Sequence, residues 1–253
     1  MCLIALAWQA HPDYPLLVAA NRDEFYARPT APARFWEDAP DVLAGRDLKE
    51  GGTWMGLTRQ GRFAALTNVR EPGVAPGRLS RGLLVAGFLN GTGTPLDYLA
   101  DVAARGDAFG GFNLIVGDHE NLAIYNNRNG QPPRALEPGV HAVSNAELDT
   151  PWPKVIKLRA GFAATLPDPG PEQLLNLLYD DTPADDNTLP DTGVGAIMER
   201  VLSACFIRSP LYGTRASTVV MVGHKRACFI EQTFANGEKG ERGSFGFDLE
   251  LPA

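Results

Sequence analysis

The sequence predicts an α+β fold in which antiparallel sheets are covered by helices. The first observation is the element order of strands, helices, strands, helices and strands, which lacks the regular βαβ alternation of parallel sheets. The second is a content of 27 glycines and 20 prolines in 253 residues, which favours short strands joined by many turns. Because the chain shows no internal repeat and no long linker, we expect one domain over residues 1–253.

The first predicted strand, Cys2–Trp8, is apolar at every position, which is typical of a strand buried on both faces. Pro12, Asp13 and Pro15 form a turn, and residues 16–20 form the returning strand. The polar residues 21–24 therefore leave a buried hairpin beside the N-terminus. The other predicted strands are residues 53–58, 62–67, 112–116, 122–125, 140–144, 217–222, 227–233 and 245–251, and residues 45–52 are predicted as a loop.

Capping residues predict the helices. Ser80 caps a helix that runs to about Asn90, and Thr94 followed by Pro95 begins a second helix that ends before Gly106. A third helix begins near Pro151 and presents apolar residues at helical spacing. Two further helices are expected over residues 171–179 and 194–205.

Composition excludes several classes of function. The net charge is −7 and basic residues form no run, which argues against a nucleic-acid or anionic-membrane surface. The three cysteines lack CxxC spacing, so neither a disulfide framework nor a zinc site is predicted. No metal site is expected from the four histidines either. We expect a cytoplasmic protein without stable membrane insertion, and the sequence does not indicate its oligomeric state.

Cys2 is the first candidate catalytic residue. It follows Met1, and a small second residue normally permits removal of the initiator methionine. Cys2 would then carry a thiol with a pKa of about 8.5 beside an α-amine with a pKa of about 8. Such an amine can act as the base for its own side chain. The alternative interpretation is that Cys2 is a small apolar residue of a core strand.

Polar residues after other strands add candidates. Asp23 can accept a hydrogen bond from an N-terminal ammonium. The backbone N–H of Asn68 and the side-chain amide of Asn145 can hold a tetrahedral oxyanion, although asparagines at strand ends also form turns. Arg215 precedes an apolar strand, where it can lower a thiol pKa, bind a carboxylate or form a structural ion pair.

Together these residues resemble the NRDE family, also called the transport and Golgi organisation protein 2 family. The resemblance spans nearly the whole chain and rests on Met1-Cys2, Ala20–Glu24, Thr67–Pro72, Ser144-Asn145 and Tyr212–Arg215. It implies membership of the N-terminal-nucleophile hydrolases. The fold implied is a four-layer αββα sandwich with two mainly antiparallel sheets.

Similarity to the cysteine amidases of the choloylglycine hydrolase and penicillin V acylase group implies roles for single residues. The implied catalytic residues are Cys2, Asp23, Asn68, Asn145 and Arg215, and the residues expected to bind substrate are Asn21, Arg22, Glu24 and Arg70. One position departs from that group. The amidases carry an arginine directly before their Asn-x-Asp motif, where this chain has Ala20, and Arg22 lies two positions later.

Two functions are consistent with these residues. The first is hydrolysis of a C–N amide bond in a small acyl substrate through a Cys2 thioester, with no cofactor required. The alternative, implied by the family resemblance, is a non-catalytic protein that binds and traffics haem or an acyl-thioester in the same pocket.

Overall fold

The structure is a computed structural model that describes residues 2–75 and 77–251. The strands in these residues are β1 (Cys2–Trp8), β2 (Leu16–Phe25), β3 (Thr30–Phe35), β4 (Val42–Asp47), β5 (Met55–Thr58), β6 (Phe63–Asn68), β7 (Phe112–Gly117), β8 (Leu122–Asn126), β9 (Arg134–Ala135), β10 (Gly139–Val143), β11 (Tyr212–Val222), β12 (Arg226–Ala235) and β13 (Glu238–Asp248). The α-helices are α1 (Gly82–Leu89), α2 (Pro95–Ala103), α3 (Pro153–Thr165), α4 (Pro171–Leu177) and α5 (Ala196–Val201). None of these helices is long and apolar enough to cross a bilayer.

The strands form two antiparallel sheets. The six-stranded sheet has the order β10-β1-β2-β11-β12-β13, and the seven-stranded sheet runs from β3 to β9 in chain order. Every residue of β1 is buried, which confirms the prediction of a strand covered on both faces. Because β1 and β2 pair as a hairpin, Cys2 lies directly opposite Arg22 at one end of the sheet.

Three apolar clusters separate four layers. Alternate residues of β1, including Ile4 and Leu6, pack between the two sheets against Leu57 and Phe63. The other face of the six-stranded sheet packs on α3 and α4, and the outer face of the seven-stranded sheet packs on α1 and α2. This arrangement confirms the predicted αββα sandwich.

The structure corrects several element boundaries. Strands β3 and β4 were not predicted, and the loop predicted over residues 45–52 is wrong at residues 45–47, which belong to β4. Strand β3 contains Pro32 and is an edge strand with a register shift, so its sequence lacks a regular alternation. Strand β2 continues to Phe25, so the polar residues 21–24, which were predicted to follow the strand, lie within it. Strand β11 begins at Tyr212, so Arg215, which was predicted to precede the strand, also lies within it.

Helix and terminal boundaries also differ. Helix α5 covers six residues instead of the predicted twelve, and Gly195 precedes it with a φ of 84°. Strand β13 begins at Glu238 and ends at Asp248, although a strand over 245–251 was predicted. In β13 many small and charged residues are exposed, so the apolar alternation used to predict strands is weak there.

Candidate active site

Cys2 lines a cleft of about 890 Å³ together with residues of both sheets. Its side chain is 6% exposed and faces the layer between the sheets. The cleft lining includes Cys2, Asp23 and Asn68 together with the segment that leads into α1. Met1 lies outside the described residues, and so does the prediction of its removal.

The surroundings of Cys2 favour the neutral thiol. Burial raises its pKa above the ordinary value, and the nearby Asp23 carboxylate raises it further. The Arg22 guanidinium and the backbone N–H of Asp23 act in the opposite direction because both stabilise the thiolate. The sulfur therefore needs a base before it can attack a carbonyl carbon.

Asp23 is held by a buried hydroxyl. The Oγ1 of Thr214 donates to Asp23 Oδ1 at 2.8 Å. Thr214 Oγ1 also accepts a hydrogen bond from Ile207 N at 2.9 Å. Burial raises the pKa of Asp23, whereas the Lys154 ammonium on α3 is the main charge that lowers it. Lys154 is itself 3% exposed, and its Nζ has no hydrogen-bond partner among the described residues. A carboxyl that lines the cleft and a buried ammonium behind it thus stabilise each other's charge.

Arg22 supplies a guanidinium close to Cys2. Residues Ala20 and Arg22 share one face of β2 because side chains alternate along a strand. Arg22 is 8% exposed and pairs in register with Cys2, and its Nη2 lies 3.7 Å from Glu24 Oε2. The chain therefore has a cation on this face although position 20 is an alanine.

The two asparagines expected to bind an oxyanion are in contact. Asn68 ends β6 and lines the cleft, whereas Asn145 is 1% exposed and is not part of the lining. The Nδ2 of Asn145 donates to the backbone oxygen of Asn68 at 2.8 Å. Ser144 Oγ donates to the Cys2 carbonyl oxygen at 3.1 Å, which ties this segment to the start of β1.

The family model described as Transport and Golgi organisation 2 matches residues 1–236. The chain belongs to this family. A transport and Golgi organization protein 2 homolog from Bos taurus is 39% identical over 250 residues, and the alignment covers 88% of each chain. The Homo sapiens homolog is 36% identical over 247 residues, and that alignment also covers 88% of each chain. The Drosophila melanogaster protein is 27% identical over 264 residues and 92% of either chain.

Solved structures show the fold of this family member. A Caenorhabditis elegans ortholog of N-acylethanolamine-hydrolyzing acid amidase superposes with a TM-score of 0.52 at 12% identity, covering 86% of this chain and 92% of the other. The C2A mutant of conjugated bile acid hydrolase from Clostridium perfringens superposes with a TM-score of 0.52 at 8% identity. The superposition covers 99% of this chain and 98% of the other. The fold is that of the N-terminal-nucleophile hydrolases.

Not every residue that the resemblance assigned lies in the cleft. Glu24 and Arg215 line it with Arg22, but Asn21, Arg70 and Asn145 do not. Asn21 points to the helical layer, where its Nδ2 donates to two backbone oxygens at 2.8 Å. Arg70 is buried against Glu199, with 2.5 Å between Nη1 and Oε2. The side chains of Asn21 and Arg70 hold the framework around the cleft.

Three residues near the site were missed by the sequence interpretation. Lys154 shares one helix face with Leu158 and Phe162 through i, i+4 spacing, and a lysine on an apolar stripe is a signal that was available. Glu231 is a lone acid in an apolar strand, which is a similar signal. Arg81 precedes α1 and approaches Cys2 only through the tertiary fold, so no local pattern indicates it.

Proposed function

We propose that this protein hydrolyses a C–N amide bond of a small acyl substrate through a thioester on Cys2. The observation that carries the proposal is the position of Cys2, Asp23 and Asn68 in one cleft. Support also comes from the fold, which resembles proteins described as an amidase and a bile acid hydrolase. The cleft is open to solvent on one side and large enough for a substrate of moderate size.

The proposed first step is acylation. The α-amine of Cys2, exposed by removal of Met1, accepts the thiol proton, and the sulfur forms a bond to the carbonyl carbon. The resulting oxyanion is bound by the backbone N–H of Asn68, and Asn145 holds Asn68 in place by donating to its backbone oxygen. The C–N bond then breaks, and the leaving amine takes the proton from the ammonium of Cys2. Water hydrolyses the thioester and releases the acid and the free thiol.

The charged residues support these proton transfers. Asp23 accepts a hydrogen bond from the ammonium and keeps it oriented toward the sulfur. Arg22 stabilises the thiolate as it forms, since its positive charge lowers the pKa of Cys2. Because burial raises that pKa, the thiolate appears only when the base and the substrate are in place, which limits side reactions of the free sulfur.

Cysteine variants test the proposal. A panel of acyl amides is incubated with the wild type, Cys2→Ala and Cys228→Ala, and amine release and the intact mass of the protein are followed. We expect turnover and an acyl adduct on Cys2 in the wild type and in Cys228→Ala, whose half-buried cysteine lies on β12, and neither in Cys2→Ala. The proposal is rejected if Cys2→Ala retains the wild-type rate, or if the wild type cleaves no amide and forms no adduct.

Haem binding is the alternative function for the same cleft. The described lining contains no histidine, methionine or tyrosine, so Cys2 is the only residue there with a usual axial ligand for haem iron. Burial disfavours the thiolate that such a bond requires. These residues do not fit haem well, and titration of the protein with haem while the Soret band is recorded separates the two functions.

A further inference from the structure

Arg81 is a cation beside Cys2 without a carboxylate partner. It lines the cleft, and its Nη1 donates to the Gly111 backbone oxygen at 2.9 Å. The same oxygen accepts a hydrogen bond from Val69 N at 2.9 Å, so Arg81 is fixed next to the end of β6. Burial lowers the pKa of Arg81, and the Cys2 thiolate is the main charge that opposes this shift. No acidic side chain of the described residues forms an ion pair with it.

Of the five other arginines in the cleft lining, Arg22 and Arg215 also keep donors without a described hydrogen-bond partner. Arg22 Nη1 is buried and has no hydrogen-bond partner among the residues that the structure describes. Arg215 is the extra residue of a bulge between Thr214 and Ala216, which directs its side chain away from the regular sheet. Its Nη1 donates to three backbone oxygens at 3.0 to 3.2 Å, and no carboxylate of the described chain lies within ion-pair distance. Each group retains donors for a ligand.

The acidic residues near Cys2 have partners of their own, and Asp23 among them accepts a hydrogen bond from Thr214 Oγ1. Glu71 accepts hydrogen bonds from Arg128 and from Gly111 N, the latter at 2.6 Å. Asp47 pairs with Arg28, with 2.5 Å between Oδ2 and Nη2. Glu24 lies 3.7 Å from Arg22 and 3.9 Å from Arg28. Glu71 and Glu24 stabilise the charge of Arg81. Glu24 also stabilises that of Arg215, but none of these described carboxylates forms an ion pair with either arginine.

Three other acids line the cleft elsewhere. Glu231 and Glu241 lie on β12 and β13, which are separated from β1 by β2 and β11. Burial raises the pKa of Glu231 to about 7, so it carries little charge below neutrality. Glu50 and Glu241 are exposed, and solvent screens their charges. A protein with a net charge of −7 therefore lines this cleft with two arginines, Arg81 and Arg215, that form no ion pair with a described carboxylate.

We propose that the cleft binds an anionic group of the substrate, a carboxylate or a phosphate, between Arg22, Arg81 and Arg215. Guanidinium groups bind both anions through paired, charge-assisted hydrogen bonds. The anion would provide the acceptor that Arg22 Nη1 lacks. This inference rests on the proposed function only for the placement of the substrate, since anion binding itself requires no amide hydrolysis.

Two thiol reagents of similar size test the inference. Iodoacetate carries a carboxylate and iodoacetamide is neutral, and each forms an S–C bond with the thiolate while iodide leaves. The ratio of the two rates is measured by peptide mass spectrometry at Cys2 and at Cys228 in the same protein. We expect the iodoacetate-to-iodoacetamide ratio at Cys2 to exceed that at Cys228 by about fivefold or more, as about 1 kcal/mol of ionic attraction would give.

Arginine variants identify the source of the selectivity. Arg81→Gln and Arg215→Gln should each lower the ratio at Cys2 by about threefold, with a smaller change in the iodoacetamide rate. Arg134→Gln is the matched control, because it removes one exposed arginine outside the cleft. Equal ratios at Cys2 and Cys228 in the wild type, or an equal loss in Arg134→Gln, would overturn the inference.

Thermal unfolding gives a readout that does not depend on sulfur reactivity. Inorganic phosphate and succinate are compared with chloride at equal ionic strength. We expect one of the two to raise the Tm of the wild type but not of Arg81→Gln, and the more effective anion identifies the substrate group. The inference fails if neither anion raises the Tm more than chloride does. A shift in Tm without any amide turnover would instead reject the proposed function alone.

Discussion

At the scale of single residues, the site depends on charges that are buried at the cleft and behind it. Asp23 and Lys154 are both almost inaccessible, and burial shifts both pKa values toward the neutral forms. Each group limits the shift of the other, because an opposite charge stabilises an ionised side chain in a medium of low dielectric constant. Cys2 is part of the same cluster, since its thiolate also raises the pKa of Lys154.

Lys154→Met is expected to make the Cys2 thiolate harder to form. Without the ammonium, the Cys2 pKa rises, and the pH profile of iodoacetamide labelling at Cys2 should move to higher pH. Lys157→Met is the control, because Lys157 lies on the same helix but is 57% exposed and pairs with Asp180 at the surface. A profile that is unchanged in Lys154→Met, or shifted equally in Lys157→Met, would contradict this role.

The sequence indicated the residues that local patterns can reveal. Cys2, Asp23 and Asn68 follow from their positions at strand ends, and the structure places them in one cleft. Asn21 and Arg70 belong to the same motifs, but a motif does not show which strand face or layer a side chain occupies. Arg81 comes near Cys2 through Gly111, which is 30 residues away in sequence, so only the tertiary fold reveals it.

At the scale of elements, a single side chain joins the two sheets near the cleft. Glu231 on β12 accepts a hydrogen bond from Ala33 N on β3 at 2.6 Å. Ala33 lies in the irregular part of β3, where the register shifts between Ala31 and Arg34 and the backbone N–H is free for a side chain. Glu231 is 4% exposed, and burial raises its pKa from an ordinary 4.5 to about 7.

Glu231 should make stability depend on pH. Below pH 4.5 the carboxyl is protonated in both states, and between 4.5 and about 7 it ionises only in the unfolded chain. The free energy of unfolding of the wild type therefore falls by about 3 kcal/mol as pH rises through this range. That of Glu231→Gln does not show this fall. Urea unfolding at the two ends of the range measures the difference. The control Glu241→Gln changes an exposed acid and should show no such dependence, whereas a pH-independent difference for Glu231→Gln would contradict the assignment.

The elements predicted from the sequence were those with a clear apolar pattern. Strands β1, β6 and β7 pack on both faces, so continuous apolar runs identified them. Strands β3 and β13 lie at sheet edges, where exposed residues remove the pattern on which prediction depends. The bulge in β11 was not predictable either, because it arises from pairing with β2 and not from the residues of β11 alone.

At the scale of the whole molecule, the cleft depends on ties between layers that are distant in sequence. The family model ends at residue 236, and β13 completes the edge of the six-stranded sheet beyond that point. Arg70 follows β6 of the other sheet, stacks at 4.7 Å over Trp152 before α3, and pairs with Glu199 on α5. Glu199 also accepts a hydrogen bond from Thr192 N at 2.8 Å. This buried group joins three elements around Asn68.

Glu199→Gln is expected to destabilise the whole fold by about 3 to 5 kcal/mol, because it leaves the Arg70 guanidinium buried without a counter-charge. The free energy of unfolding, measured in urea, should fall by that amount. Adding Arg70→Met to Glu199→Gln should recover part of the loss, since the double variant buries no unpaired charge. The control Glu172→Gln breaks the exposed ion pair with Arg242 and should cost no more than about 1 kcal/mol. If the losses of Glu199→Gln and Arg70→Met are simply additive, the pair is not a tie between layers. The support of the Asn68 segment must then come from the Asn145 side chain and from the backbone hydrogen bonds of Val69 and Arg70.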